Sequence, residues 1–170
     1  PDEIEGIAEH LAFSNAPNES YWYNSSSRIQ FDWDYFDHAY MGRDNIIWKS
    51  TDGGGGFTPL HEFGTNANNK VLWVEQSRVN TNIIYCTQNI GSTNCYLWKS
   101  TDRGLTWTNL TLPQAKRDLI FTLSGDNADE LWIAYKYGPN GSKVYHSING
   151  GDSWVNITTA TLNDMHPSAI

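Results

Sequence analysis

One fifteen-residue pattern occurs three times in this chain. Residues 46–60 read IIWKSTDGGGGFTPL, residues 96–110 read YLWKSTDRGLTWTNL, and residues 143–157 read KVYHSINGGDSWVNI. The serines of the copies, Ser50, Ser100 and Ser147, are spaced 50 and 47 residues apart. A near-constant period of this length is the signature of a repeat architecture, in which each unit is one supersecondary element.

Each copy has the same local logic. A short alternating run comes first: Ile47 and Lys49, Leu97 and Lys99, Val144 and His146. Such alternation predicts a half-buried strand. A polar, glycine-rich turn follows: Asp52-Gly53-Gly54, Asp102-Arg103-Gly104, Asn149-Gly150-Gly151. Asp and Asn accept hydrogen bonds from backbone amides just ahead of them, and Gly supplies positive φ. An aromatic residue (Phe57, Trp107 or Trp154) then opens a second strand. Each copy therefore reads as a β-hairpin whose turn is tied by a carboxylate or amide and anchored by a ring.

Composition supports strands over helices. Aromatics make up 14 % of the 170 residues, with eight Trp, and charged residues only 18 %, against roughly 25 % in ordinary domains. Eleven Lys and Arg stand against 19 Asp and Glu, a net charge of −8. A nucleic-acid partner is not expected, because phosphates are neutralised by clustered Lys and Arg. No apolar run approaches the roughly 20 residues that span a bilayer.

The pattern Ser-x-Asp-x-Gly-x-Thr-Trp resembles the Asp-box, or BNR repeat, of sialidase-like and sortilin-like β-propellers. Ser100, Asp102, Gly104, Thr106 and Trp107 match it in full. The first copy (Ser50, Asp52, Phe57) departs at Gly56 and Phe57, and the third (Ser147, Asn149, Gly151, Trp154) at Asn149 and Ser153. In wording the chain is most similar to propellers of secreted bacterial surface proteins and sortilin-type receptors. Xyloglucan-degrading Asp-box glycosidases are a further relative. The resemblance implies an all-β fold, a partial β-propeller of three four-stranded blades. The first blade is expected over residues 1–63, the second over 64–113 and the third over 114–160, with 161–170 a tail or the start of another. It also implies a secreted or cell-surface protein.

Strand-like runs fill the blades: Lys70–Val79 and Asn82–Gln88 in the second, Asp118–Gly125 and Glu130–Tyr137 in the third. In the first, Ile7–Ser14 and Ser20–Ser25 align with them, which makes residues 28–44 an insertion. Propellers have about four to eight blades, so three imply further blades of the same parent protein or a second chain to close the ring.

The insertion carries five aromatics and four carboxylates. It reads as an extra hairpin with Phe31 and Trp33 inward and Asp32 and Asp34 outward. Alternatively, Trp33, Asp34, Tyr35, His38 and Tyr40 contact a glycan or a surface protein, since Trp and Tyr are frequent at binding hot spots. A Ca²⁺ site through Asp32, Asp34 and Asp37 is the weakest option, because the glycine and distal glutamate of a calcium loop are absent.

Cys86 and Cys95 would lie directly opposite each other if their strands pair about Ile90-Gly91, close enough for a disulfide. The other reading is two reduced cysteines. Asp52 and Asp102 read as turn ties, with carboxyls held too acidic for acid–base work near neutral pH. Glycoside hydrolysis would need two carboxyls, about 5–5.5 Å apart for retention or about 6.5–9.5 Å for inversion. Glu9, Glu75 and Asp118 are the candidates, each near an inner strand. A sialidase is disfavoured by the absence of a Phe/Tyr-Arg-Ile/Leu-Pro motif. The expectation is a non-catalytic binding or scaffold module that needs no cofactor and no carboxylate pair, with glycoside hydrolysis as the alternative.

Overall fold

A computed structural model describes residues 29–64, 69–91, 94–114, 116, 119–135 and 143–159. They contain twelve strands: β1 (Gln30–Phe31), β2 (Ala39–Arg43), β3 (Ile46–Ser50), β4 (Thr58–Glu62), β5 (Lys70–Gln76), β6 (Ile84–Ile90), β7 (Asn94–Ser100), β8 (Thr108–Asn109), β9 (Leu119–Leu123), β10 (Leu131–Tyr135), β11 (Lys143–Ser147) and β12 (Val155–Asn156). They form three antiparallel sheets of four, each ordered as in the chain: β1-β2-β3-β4, β5-β6-β7-β8 and β9-β10-β11-β12. The sheets stack face to face with β1, β5 and β9 innermost about a common groove. This is a partial β-propeller. No helix of the described residues is long and apolar enough to cross a membrane.

Register is the same in every blade. The turn serine pairs with the first residue of the second strand: Ser50 with Ala39, Ser100 with Ile84, Ser147 with Leu131. One position back, Lys49, Lys99 and His146 pair with Tyr40, Tyr85 and Trp132. Each of these basic side chains lies on the ring it faces. Lys49 Nζ is 5.5 Å from the Tyr40 ring centre and Lys99 Nζ 5.6 Å from that of Tyr85. The His146 ring stacks on Trp132 at 4.8 Å and 9°.

The core is divided between two seams. Between blades one and two, Tyr40 and Ile47 meet Val71, Val74, Ile84 and Cys86. Between blades two and three, Tyr85 and Leu97 meet Phe121, Leu131, Ile133 and Tyr135. Ile47, Ile84, Leu97, Leu131 and Ile133 are fully buried, and each contributes about 2 kcal/mol by leaving water. Strand β6 belongs to both seams and is buried along nearly its whole length, so its sequence shows no alternation. Gly42 lets the first two blades close up. A Cβ there would run into Val71 Cγ1 and sit 2.9 Å from the Val71 carbonyl oxygen.

The three turns are built as the sequence implies. Ser50, Ser100 and Ser147 each accept from the amide four residues on, at 2.8–2.9 Å (Gly54, Gly104 and Gly151). Each serine hydroxyl also donates to the side chain two residues on, Asp52, Asp102 or Asn149, at 2.7–2.9 Å. That side chain accepts the amide of Gly56, Thr106 or Ser153 in turn. Asn149 for Asp and Ser153 for Thr preserve the tie with donor and acceptor exchanged, Asn149 Nδ2 donating to Ser153 Oγ at 2.9 Å.

Two expectations are corrected. Residues 28–44 are not an insertion, because they supply β1 and β2, the first two strands of their sheet. The runs Ile7–Ser14 and Ser20–Ser25 lie outside the described residues. Three of the four inward and outward assignments there also fail: Phe31 and Trp33 are each 46 % exposed and Asp32 is buried, while Asp34 is exposed as expected. Strand β1 ends at Phe31 and the chain turns at once, so strand alternation stops applying.

The disulfide does not form. The hairpin pairs Ile90 with Asn94, which places Cys86 opposite Trp98 and Cys95 opposite Asn89. Relative to pairing about Ile90-Gly91 this is an offset of three, and an odd offset sends the two side chains to opposite faces. Cys86 lies in the first seam and Cys95 in the second, both buried and free. Cys95 Sγ instead donates to the Lys116 carbonyl at 2.6 Å.

Candidate binding groove and the loop that frames it

The inner strands enclose a groove of about 530 Å³. Its lining includes Trp33 from the loop after β1, Trp73, Glu75 and Arg78 from β5 and its following loop, and Ile120 and Leu123 from β9. Glu75 is the one carboxylate among the described residues of the lining. Glu75 Oε1 accepts the Leu123 amide at 3.2 Å, so it satisfies a donor on the edge of β9 that no other described strand pairs.

The loop after the innermost strand is a second repeated device. Asp32, Ser77 and Ser124 occupy the same place, and each accepts two amides just ahead of it: Asp34 and Tyr35, Val79 and Asn80, Asp126 and Asn127. Five residues on, the carbonyls of Asp37, Asn82 and Asp129 accept the amides of Gly53, Arg103 and Gly150. This hydrogen bond ties each inner loop to the Ser-Asp turn of its own blade.

The first blade differs in having a carboxylate at that place. Asp32 Oδ2 accepts from Tyr40 Oη at 3.0 Å, Gln76 Nε2 at 3.1 Å and Arg103 Nη1 at 2.7 Å. Burial alone would raise its pKa. Hydrogen bonds from the Asp34 amide, Gln76, Arg103 and Tyr40 outweigh that and hold it below the ordinary carboxylate value. Arg103 Nη2 also bonds Asp34 Oδ2 and Thr81 Oγ1, and its guanidinium carbon lies 5.0 Å from the Tyr35 ring centre. Gln76 in turn fixes Trp33: its Oε1 accepts the Trp33 amide at 3.0 Å, and its backbone carbonyl accepts the indole N–H at 3.1 Å. Arg78 lies over that indole, 4.7 Å from the ring centre.

The predicted site residues therefore separate. Trp33 and Glu75 line the groove. Asp34 and Tyr35 belong to the inter-blade clasp, and the His38 ring lies 4.9 Å from that of Tyr35 at a tilt of 34°. Tyr40 is fully buried, so it offers no face to a ligand; burial and then the Asp32 charge push its hydroxyl pKa up. The calcium assignment also gives way, because the Arg103 guanidinium already supplies the cation at Asp32 and Asp34. Among the described residues no three metal-ligating side chains cluster. Glu9 and Asp118 lie outside the described residues.

Asp52 and Asp102 are consumed in their turns. Hydrogen bonds from Thr106 and Ser100 hold the Asp102 pKa at about 2. Those from Ser50 and the Gly56 amide lower that of Asp52.

Gln76, Arg78 and Arg103 have no forecast from sequence. Arg103 did leave a signal. It occupies the left-handed turn position held by Gly53 and Gly150 in the other copies, and a charged residue there asks for a partner.

No protein-family model and no curated protein matches the chain. Solved structures do. A GH74 enzyme from Niastella koreensis is similar over 75 % of this chain and 22 % of its own, with 23 % identity and a TM-score of 0.60. An ancestral GH74 enzyme is similar over 78 % of this chain and 18 % of its own, with 16 % identity and a TM-score of 0.62. YCF48 bound to D1 peptide is similar over 79 % of this chain and 40 % of its own, with 15 % identity and a TM-score of 0.55. At these identities the likeness is one of fold, that of β-propeller proteins. The chain spans from 18 % to 40 % of the length of these structures.

Proposed function

We propose that this chain is part of a larger Asp-box propeller of a secreted or surface protein and acts as a non-catalytic binding module, its ligand seated in the groove between the inner strands. The observation that carries this reading is the state of Glu75. It is the groove's one described carboxylate, and it is engaged by the Leu123 amide. Acid–base hydrolysis of a glycoside needs a pair. The aromatic walls and small polar groups instead suit recognition. Blade boundaries near residues 63 and 113 and closure of the ring by further blades belong to the same proposal.

Glycoside hydrolysis is the second reading, favoured by the likeness to two GH74 enzymes and by a carboxylate in the groove. It requires a partner carboxyl for Glu75, from Asp118, Glu9 or another blade. The test is to titrate the chain with xyloglucan oligosaccharides, sialyllactose and a peptide panel, following tryptophan fluorescence and sugar release together. Binding without turnover, retained in Glu75→Gln, is expected. Turnover that Glu75→Gln abolishes would establish the hydrolase instead.

A further inference from the structure

We infer that the groove recognises an acidic peptide, with Arg78 reading a carboxylate beside an apolar side chain. The inference rests on the binding-module reading above and names the ligand class.

Three observations support it. First, Arg78 is exposed, lines the groove, and has no carboxylate within ion-pair distance among the described residues, in a chain of net charge −8. The other two described arginines, Arg43 and Arg103, do face carboxylates. Second, the guanidinium is pre-positioned. It lies on the Trp33 indole, and the indole is fixed by two hydrogen bonds to Gln76. Stacking occupies the face of a guanidinium and leaves its in-plane N–H edge free for a two-pronged bond to a carboxylate. Little rotamer entropy remains to be lost on binding.

Third, several of the groove's other hydrogen-bonding groups are already engaged. Glu75 accepts the Leu123 amide, Gln76 is shared between Trp33 and Asp32, and Gln30 donates to the Phe31 carbonyl. Ile120 and Leu123 give the wall opposite Arg78 an apolar surface, with the Thr122 and Ser124 hydroxyls beside it. A sugar ring needs several hydrogen-bond partners, whereas an aliphatic or aromatic side chain needs a dry wall. One oriented cation beside an apolar wall fits an acidic residue next to an apolar one.

The probe is a random dodecapeptide library displayed on phage and selected on the intact chain. Enriched peptides are then synthesised with a fluorophore and measured by anisotropy. Peptides carrying Asp or Glu next to an apolar residue should be enriched. Changing that acid to its amide should weaken binding by about tenfold or more, and Arg78→Gln should remove most of the difference. Arg78→Lys, which keeps charge but not the planar stack, should fall between.

No enrichment, enrichment without acids, or an acid effect that survives Arg78→Gln overturns the inference. Binding of polygalacturonate lost in Arg78→Gln, without peptide binding, reassigns the groove to acidic glycans. A neutral oligosaccharide bound in place of any peptide leaves the binding-module reading intact and removes the acidic peptide. Failure of peptides and glycans alike removes both. Arg78 is exposed, so an unchanged thermal melt of Arg78→Gln separates loss of recognition from loss of folding.

Discussion

Arg103 Nη1 donates to Asp32 Oδ2 at 2.7 Å across the seam between the first two blades, 71 residues apart in sequence. The bond explains an otherwise costly backbone. Arg103 has φ +58°, where its counterparts Gly53 and Gly150 have +70° and +69°. A residue with a Cβ in the left-handed region carries a penalty of about 1 kcal/mol. The carboxylate it reaches is buried and holds three side-chain donors from three strands or turns.

Replacing Arg103 by Gly should relieve the backbone and still destabilise the chain. Losing one partner of a buried pair typically costs about 3–5 kcal/mol. Asp32 keeps its bonds to Tyr40, Gln76 and two amides, and the backbone gains about 1 kcal/mol, so a net loss of about 2 kcal/mol is expected. Asp32→Ala should cost more, because it also takes the acceptor from Tyr40 Oη and leaves Gln76 Nε2 with the Thr81 carbonyl alone. The double variant should be clearly less unstable than the sum. Urea midpoints for the four proteins measure the coupling, and an additive double variant would mean that the pair contributes nothing.

The close approach at Gly42 gives a second test. Gly42→Ala would place a methyl 2.9 Å from the Val71 carbonyl oxygen as well as against the Val71 side chain. The side chain can be trimmed, but the carbonyl cannot move without disturbing β5. Overpacking of this kind costs about 1–3 kcal/mol. Gly42→Ala should therefore lower the melting temperature, and adding Val71→Ala should recover only part of the loss. Full recovery would place the whole conflict in the Val71 side chain.

The same seam shows what sequence could and could not reveal. The Ser-Asp turns are legible because their chemistry is local: a serine, an Asp or Asn, a positive-φ glycine and a ring within eight residues. The clasp is not, since Arg103 and Asp32 meet only once two blades have stacked. Strand β1 has two residues, too few to show a period, so the acidic-aromatic stretch looks like an insertion although it carries the blade's first two strands. The inner-loop repeat of Asp32, Ser77 and Ser124 is visible once the register is known, but its three residues share only a side-chain acceptor. In the groove, Trp33 and Glu75 stand out by type, whereas Arg78 and Gln76 matter through where the fold brings them.

Asp102 links stability to pH with a definite sign. Its pKa is about 2 in the folded chain, set first by the Thr106 hydroxyl and then by the Thr106 amide and Ser100. In the unfolded chain it returns to about 3.8. A folded value below the unfolded one gives stabilisation that is present above about pH 4 and is lost as pH falls toward 2. Thr106→Val removes the hydroxyl, so the folded value should rise toward that of an ordinary aspartate. Carboxyl-carbon NMR titration reads both values directly. An Asp102 that titrates near 3.8 in the unmodified chain would show that the turn does not hold its charge.

The two cysteines make a sharp prediction because the hairpin register opposes a bond between them. Cys86 is fully buried among Tyr40, Val74 and Ile84, and burial raises its thiol pKa well above the ordinary value. Thiolate is the reactive form, so Cys86 should resist alkylation in the folded chain at neutral pH. Cys95 is also buried and donates to the Lys116 carbonyl. Mass spectrometry after iodoacetamide should show little modification of the native protein and two adducts after unfolding in urea without reductant. Dithiothreitol should leave the melting temperature unchanged. No adducts without reductant, together with a melting temperature lowered by dithiothreitol, would require a disulfide and a hairpin slipped by three residues.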